Sequence, residues 1–435
     1  MLPSGDLQRL FLILSILSIL NLTIMPFYHD YYQVSALSGK LKSYNNINFK
    51  DPNLKAQVVF DGLTFPTSMA FLNLNDILVL QEDNGTVRRI VDGKMIPEPL
   101  VHVNIETKEG RGMLGIAIAK HNNGITYVFL YYTEASGTGS TGNQSYESVR
   151  LYRYQLKDNK LIDSKLLLDL GRPGPFHNGG KILIGPDQNV YLIVGDLNAR
   201  HTQAQNYPEW ASPDGSSSIL RITQDGQPVK TGNILSNIQP LNQYYAYGIR
   251  NSFGMDFDPV TGKLWDTENG ADYGDEINLV EPGFNSGYRK IQGIWYPNPL
   301  NLSVASDVAP LNPEGLVDFG GKGKYSTPEF SWYHTTAPTA LIFLDSNNLG
   351  EQYRNDMLVG DFNGNIFHFK MNKTRTGLYL EGPLIDKVAD SDNENKDIIF
   401  GTGFKGITDM QVGPDGNLYV LSYYFGAIIK ILKNT

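Results

Sequence analysis

From about residue 45 onward the chain alternates short apolar stretches with polar turns. Asn75-Asp76-Ile77-Leu78-Val79-Leu80 leads into Asn84-Gly85-Thr86-Val87. The same grammar returns at Gly185-Pro186-Asp187-Gln188-Asn189-Val190-Tyr191-Leu192-Ile193-Val194 and at Asp258-Pro259-Val260-Thr261-Gly262-Lys263-Leu264-Trp265. It appears again at Arg354-Asn355-Asp356-Met357-Leu358-Val359, followed by Asn363-Gly364-Asn365-Ile366, and at Gly413-Pro414-Asp415-Gly416-Asn417-Leu418-Tyr419-Val420-Leu421. Turns of Gly, Pro, Asn and Asp followed by alternating apolar strands are what tight hairpins require. Helical periodicity is missing from this part of the chain, which disfavours an α/β fold.

The spacings from Asp76 to Asp187, Asp258, Asp356 and Asp415 are 111, 71, 98 and 59 residues. With a unit of roughly 50–65 residues, the two long spacings hide a degenerate unit or an insertion, and the chain divides into about six units. The pattern therefore predicts an all-β, six-bladed β-propeller of four-stranded blades. It also predicts two parts, residues 1–44 and a propeller domain over 45–435.

Residues 1–44 have a different pattern. Leu10 to Met25 reads LFLILSILSILNLTIM, 16 residues without a charge. That length is long for a signal-peptide core and short for a full span of ~20 residues. Arg9 precedes the run, and Val34-Ser35-Ala36 offers a small-residue cleavage site. An N-terminal apolar helix is expected, either a signal peptide or an uncleaved signal anchor. Both place the remainder of the chain outside the cytoplasm, secreted or anchored, with membrane contact through residues 10–25 if the segment stays. Sequons at Asn84, Asn143, Asn301 and Asn372 are compatible with export.

Composition narrows the chemistry. The net charge is −9, and no run of basic residues is present, which argues against a nucleic-acid partner. Hydrophobic residues at 41% supply a large core, and 44 Gly with 23 Pro supply many turns. The absence of Cys excludes disulfides, thiolate metal sites and a Cys nucleophile.

Several polar constellations stand out. Phe176-His177-Asn178-Gly179-Gly180 precedes the strand ending at Asp196, in a turn where backbone can approach a ligand. A histidine hydrogen-bonded within its turn is the plainer interpretation. Tyr247-Gly248-Ile249-Arg250-Asn251-Ser252-Phe253-Gly254 carries Arg250, whose fork of donors suits an oxyanion or equally a structural salt bridge. Thr267 to Asn278 is rich in oxygen ligands and glycine, as a hard-cation loop or a solvated turn would be. Gly137–Ser145 and Asp390–Asp397 are polar loops that could hold Ca²⁺ or simply be solvated.

The segments FHNGGKILIGPDQNVYLIVGD, SSILRI and YGIRNSFGMDFDPVTGKLWDTENGADYGDEINLVEPGFNSGY together resemble the glucose/sorbosone dehydrogenase family. These are soluble aldose sugar dehydrogenases that depend on pyrroloquinoline quinone (PQQ). GLTFPTSMAFL, GRGMLGIAI and GITDMQVGPDGNLYVLSY fit the same family, so the resemblance spans roughly residues 55–432. It implies a six-bladed propeller and hydride transfer from a sugar or related alcohol to PQQ. It also implies His177 as general base, Arg250 as stabiliser of charge on the quinone oxygen, and Asn251 beside it. Ca²⁺ would be held in part by the backbone carbonyls of Gly270 and Ala271. Tyr333-His334-Thr335-Thr336-Ala337-Pro338 resembles the cofactor-covering loop, making Tyr333 and Thr335 candidate PQQ contacts and His334 a second channel histidine.

The chain departs from the family where the PQQ carboxylates are bound. Val359-Gly360-Asp361-Phe362-Asn363-Gly364 lacks the family's Lys, and Phe404-Lys405-Gly406-Ile407-Thr408-Asp409 lacks its Arg pair. Lys405 is the nearby cation, with Lys324 as a possible substitute. The leading expectation is an exported PQQ- and Ca²⁺-dependent oxidoreductase, passing electrons to a separate acceptor. The alternatives are a propeller that binds protein or glycan partners without catalysis, and a Ca²⁺-dependent lactonase using Glu268, Asp275 and Asn278.

Overall fold

The computed structural model describes residues 44–138, 144–145, 147–198, 200–230, 235–294 and 315–434. The apolar run 10–25 and the sequons at Asn143 and Asn301 lie outside the described residues. The chain separates into two units, Met1–Asn45 and Asn46–Thr435, and the fold below is that of the second.

The described residues form six sheets of four to six strands and a two-stranded ribbon. The first sheet holds Pro66–Asn73, Asp76–Gln81 and Thr86–Val91, with short outer strands Lys94–Met95 and Val101–His102. The second is the meander Met113–Lys120, Thr126–Glu134, Ser148–Lys157 and Lys160–Asp169. The third runs Ile182–Ile184, Val190–Val194, Ser218–Ile222 and Tyr244–Tyr247, then adds Phe284–Asn285 and Lys324–Tyr325 in parallel. The fourth is Met255–Phe257, Leu264–Glu268, Tyr273–Val280 and Phe330–His334, extended by Val388–Ala389. The fifth is Pro338–Phe343, Met357–Asp361, Ile366–Phe369 and Ile399–Thr402, extended by Asn48–Phe49. In the sixth, Ile407–Val412, Leu418–Ser422 and Ala427–Lys433 are completed by Leu54–Asp61 from the start of the unit.

The first strands of successive sheets lie side by side from first to second, second to third, fourth to fifth, fifth to sixth, and sixth back to first. Third and fourth meet through Tyr191, Ile193, Ile219 and Ala246 against Met255, Leu264 and Val280. Meanders arranged in this closed ring make the architecture an all-β propeller. The blades are less uniform than the sequence suggested, because only two of the large sheets have four strands.

The sheet-to-sheet interfaces explain why some strands read as unbroken apolar runs. Asp76–Gln81, Val190–Val194 and Leu418–Ser422 are buried along their whole length, since both faces meet a neighbouring sheet. Trp265, Phe330, Trp332, Phe367 and Phe369 fill the interface between fourth and fifth sheets. Each such ring contributes roughly 1.5–3 kcal/mol of burial, so the core needs no disulfide.

The two Gly-Pro-Asp turns fold alike. Asp187 Oδ1 accepts from Asn189 N at 3.1 Å, and Asp415 Oδ1 accepts from Asn417 N at 3.1 Å. Each second oxygen accepts from a strand tyrosine, Tyr191 or Tyr419, at 3.1 Å. The Asp390–Asp397 segment is not an open loop: Asp392–Ile398 is a short helix, and Glu394 reaches back to Asp390 N at 2.8 Å. Gly137–Thr138 and Gln144–Ser145 pair as the two-stranded ribbon.

Candidate functional site

A belt of loop contacts runs around one mouth of the ring. Asn178 Nδ2 donates to Gly110 O and Gly174 O, joining the second sheet's entry to the His177 turn. Asp196 N donates to Arg250 O, and Asn269 N to Asn251 O. Asp275 accepts from Gly270 N at 2.7 Å and from Thr336 N and Ala337 N at 2.6 and 2.8 Å. Phe362 N then donates to Ala337 O, Phe404 N to Gly364 O, and Tyr424 N to Lys405 O. Tyr423 reaches Glu82 at 2.5 Å, and Met113 N donates to Glu82 O, closing the circuit. His177, Arg250, Asn251, Gly270, Thr335 and Lys405 therefore belong to loops around one mouth. A separate cavity of about 800 Å³ lies among other turns, including Asp345–Asn347 and Gly413–Pro414, and involves none of these residues.

His177 is held in a left-handed backbone conformation, φ 60°. For a non-glycine residue this costs about 1–3 kcal/mol, and such conformations concentrate at functional sites. Its Nδ1–H donates to Asp196 Oδ1 at 2.7 Å, the direction a carboxylate imposes. Nε2 has no partner among the described residues. Gly195 lets this turn form, because a Cβ there would sit 2.2 Å from His177 O and 2.9 Å from Arg250 O. Burial pushes the Asp196 carboxyl upward, but the bonds from His177, Asn198 N and Tyr288 outweigh it and leave the group below its ordinary value. Asp196 is thus a buried anion that fixes one tautomer of His177 and points Nε2 away from itself.

Arg250 enters from the next loop. Its Nη1 donates to Asn269 O at 3.0 Å and Gly270 O at 2.9 Å, while its backbone N donates to Glu268 Oε1 at 2.7 Å. Gly270 is tightly enclosed, since a Cβ there would lie 2.0 Å from Tyr273 O. The side-chain oxygens of Asn251 and Asn269 and the Thr336 hydroxyl are buried without a partner. Behind Arg250 lie further buried acids. Ser286 Oγ lies 2.6 Å from Glu268 Oε2 and 3.2 Å from Glu276 Oε2. Burial, and then the neighbouring carboxylates, push Glu268 well up; burial also raises Glu276 and brings Asp266 to about 8.

The remaining candidates divide. Tyr333 is buried, whereas His334 and Thr335 are exposed. Lys405 is exposed, and no ion pair of its ammonium occurs among the described residues. Lys324 lies on the outermost strand of the third sheet, so it does not substitute for a mouth cation. The proposed metal trio of Glu268, Asp275 and Asn278 does not converge. Glu268 is cross-strand from Glu276, which shares a face with Asn278, while Asp275 points to the opposite face. Asp275 is held by the backbone N–H groups of Gly270, Thr336 and Ala337. Among the described residues no cluster of three or more His, Asp or Glu suits a metal ion.

Sequence reasoning missed Asp196 as the partner of His177, Tyr288 as a donor to it, and the mouth aromatics. Phe65 stacks on Tyr423 at 5.0 Å, and Phe362 lies 5.5 Å from both Tyr423 and Tyr424. Asp196 closes the strand motif that follows His177, a local signal, whereas Tyr288 is 92 residues away from it.

A β-propeller with a carboxylate-oriented histidine and an arginine at one mouth is a scaffold able to carry out proton abstraction beside a bound ligand. The family model for glucose/sorbosone dehydrogenase matches residues 63–430, and the chain belongs to that family. It is 24% identical over 376 residues to aldose sugar dehydrogenase YliI of Escherichia coli, covering 85% of this chain and 90% of that one. It is 24% identical over 442 residues to quinoprotein glucose dehydrogenase B of Acinetobacter calcoaceticus, covering 88% of each. The PQQ-bound aldose sugar dehydrogenase structure from Streptomyces coelicolor shares the fold, with a TM-score of 0.63, 19% identity, and coverage of 88% of this chain and 99% of that one.

Proposed function

We propose that residues 45–435 form a six-bladed propeller, one blade per large sheet, that oxidises an aldose sugar or related alcohol with PQQ and Ca²⁺ outside the cytoplasm. The observation that carries this reading is His177, oriented by Asp196 with Nε2 unpaired, at the mouth that also holds Arg250 and Gly270. When bound, PQQ supplies a two-electron hydride acceptor and Ca²⁺ a Lewis acid. His177 Nε2 takes the proton from the sugar hydroxyl, and the Asp196 anion stabilises the resulting imidazolium. The Arg250 guanidinium sits where negative charge on an oxygen is stabilised. The backbone carbonyls of Gly270 and Ala271 would hold the Ca²⁺ in part, with Gly270 O shared with Arg250 Nη1 at 2.9 Å. Lys405, without an ion pair among the described residues, supplies an ammonium for a cofactor carboxylate, with Tyr333 near the end of its strand and Thr335 just beyond it. With no Cys for haem attachment, electrons leave to a separate acceptor.

His177→Ala tests the role of the base. Turnover with aldoses should fall about 10²–10⁴-fold, while the melting temperature stays near that of the parent. Parental turnover in the variant would remove His177 as the base.

One observation favours a second reading, a ligand-binding propeller without catalysis. The loops where the family places its Lys and Arg pair present Phe362 and Lys405 here, and Tyr423 and Tyr424 of a neighbouring turn pack against Phe362. The geometry does not support a lactonase, because its three proposed ligands face opposite sides of a strand.

A further inference from the structure

Tyr288 follows Phe284–Asn285 of the third sheet, and its backbone is fixed on both sides. Its N–H donates to Gly248 O at 3.0 Å, and its carbonyl accepts from Asn206 Nδ2 at 2.7 Å. Asn206 is itself locked by a reciprocal amide pair with Asn285, at 3.0 and 2.8 Å. The Tyr288 ring is buried, and its hydroxyl donates to Asp196 Oδ2 at 2.9 Å. Asp196 Oδ1 accepts from His177 Nδ1–H at 2.7 Å and from Asn198 N at 2.8 Å. Both carboxylate oxygens are thus engaged, and the plane of the group is set.

We propose that Tyr288 is a positioning residue for His177, its hydroxyl sharing the Asp196 carboxylate and so limiting how basic His177 Nε2 becomes. This rests on the reading of His177 as the base. Three donors divide one buried negative charge. Each donor that holds the anion weakens its pull on the other two. With Tyr288 removed, the carboxylate would hold a protonated imidazole more firmly, and His177 would keep its proton to higher pH. Burial, and then the Asp196 charge, hold the Tyr288 phenol well above its ordinary value, so it stays a donor throughout the neutral range. The charged groups facing this trio are Arg250, from the loop packed against Asp196, and Arg289, next in sequence to Tyr288. Both remain cationic through neutral pH. His201, 3.2 Å from Arg289 Nη1, serves as an internal control.

The test is Tyr288→Phe, which keeps the ring and removes the hydroxyl. The titration of His177 is followed by NMR of its ring protons, assigned by their loss in His177→Gln. Its midpoint should rise by about one pH unit, while that of His201 stays fixed. The acid limb of kcat/KM should move up equally, corresponding to about tenfold lower activity on that limb, with the high-pH plateau within about twofold of the parent. An unchanged His177 midpoint in the folded variant would overturn the proposal. Adding Tyr288→Phe to Asp196→Asn should move the midpoint no further; an additional rise there would also overturn it. A raised midpoint with an unmoved acid limb would support the role of Tyr288 and overturn His177 as the base.

Discussion

Lys181, four residues after His177, carries an ammonium buried in the middle of the ring. Its Nζ lies 2.7 Å from Asp409 Oδ1, and the two side chains are 8% and 3% exposed. The pair ties the third sheet to the sixth, and Asp409 is tied to the first sheet as well. Asp409 Oδ2 accepts from Met69 N at 2.9 Å and from Ser68 Oγ at 3.2 Å, and Oδ1 accepts from Met410 N at 2.9 Å. Removing one member of a buried pair costs about 3–5 kcal/mol, because the other charge is left uncompensated. The surroundings order the two single variants. Lys181→Met leaves a carboxylate still held by donors from Met69, Ser68, Met410 and Gln411 and belongs near 3 kcal/mol. Asp409→Asn leaves the ammonium with the Asp256 carboxyl, which burial pushes up to about 6, in place of a paired carboxylate, and belongs nearer 5 kcal/mol. The double variant should return to within about 1–2 kcal/mol of the parent, since Asn retains an acceptor for Met69 N and no charge is stranded. Urea unfolding at pH 7, with comparable slopes for all four proteins, measures the cycle. Additive losses in the double variant would refute the pairing, as would single losses below about 1 kcal/mol.

The buried acids of the fourth sheet set a pH dependence. Asp266 is fully buried, and burial carries its carboxyl to about 8, against the ordinary 3.8, despite the neighbouring Asn278 amide. Between those values the unfolded chain has released a proton that the folded protein keeps. Stability should therefore fall as pH rises across this window and level off above about 8; Asp266→Asn should flatten the fall in urea midpoints measured from pH 5 to 9. Lys405→Gln removes a mouth ammonium, and PQQ affinity measured by calorimetry should drop about 10–100-fold, the equivalent of one charge-assisted contact. An unchanged affinity would place the cofactor carboxylates elsewhere.

The parts of this architecture written in local patterns were legible in the sequence. Asp187 and Asp415 revealed themselves because an aspartate two residues before an asparagine caps its own turn, whatever the surrounding fold. His177 and Arg250 were legible because short motifs surround them. Their partners were not, because propeller closure brings together residues that no local rule connects. Asp196 meets Tyr288 across 92 positions, and Lys181 meets Asp409 across 228. Lys324 read as a possible substitute for Lys405, yet it lies on the outermost strand of its six-stranded sheet. Charge count alone carries no information about which rim a lysine occupies. The charged run from Asp390 offered oxygens for a cation, but Glu394 uses its carboxylate to cap the turn that opens a helix. The trio of Glu268, Asp275 and Asn278 shows the same limit. Asp275 and Asn278 are three positions apart on one strand, an odd spacing that sends them to opposite faces.

The central claim is that this mouth binds PQQ despite its few cations. The direct test is titration of the protein with PQQ in millimolar Ca²⁺, following the cofactor's absorbance and the heat released. Saturable binding at micromolar affinity or tighter is expected, weakened by chelation of Ca²⁺ and by Lys405→Gln. Absence of saturable binding with Ca²⁺ present would contradict it and leave a family scaffold whose mouth serves a different ligand.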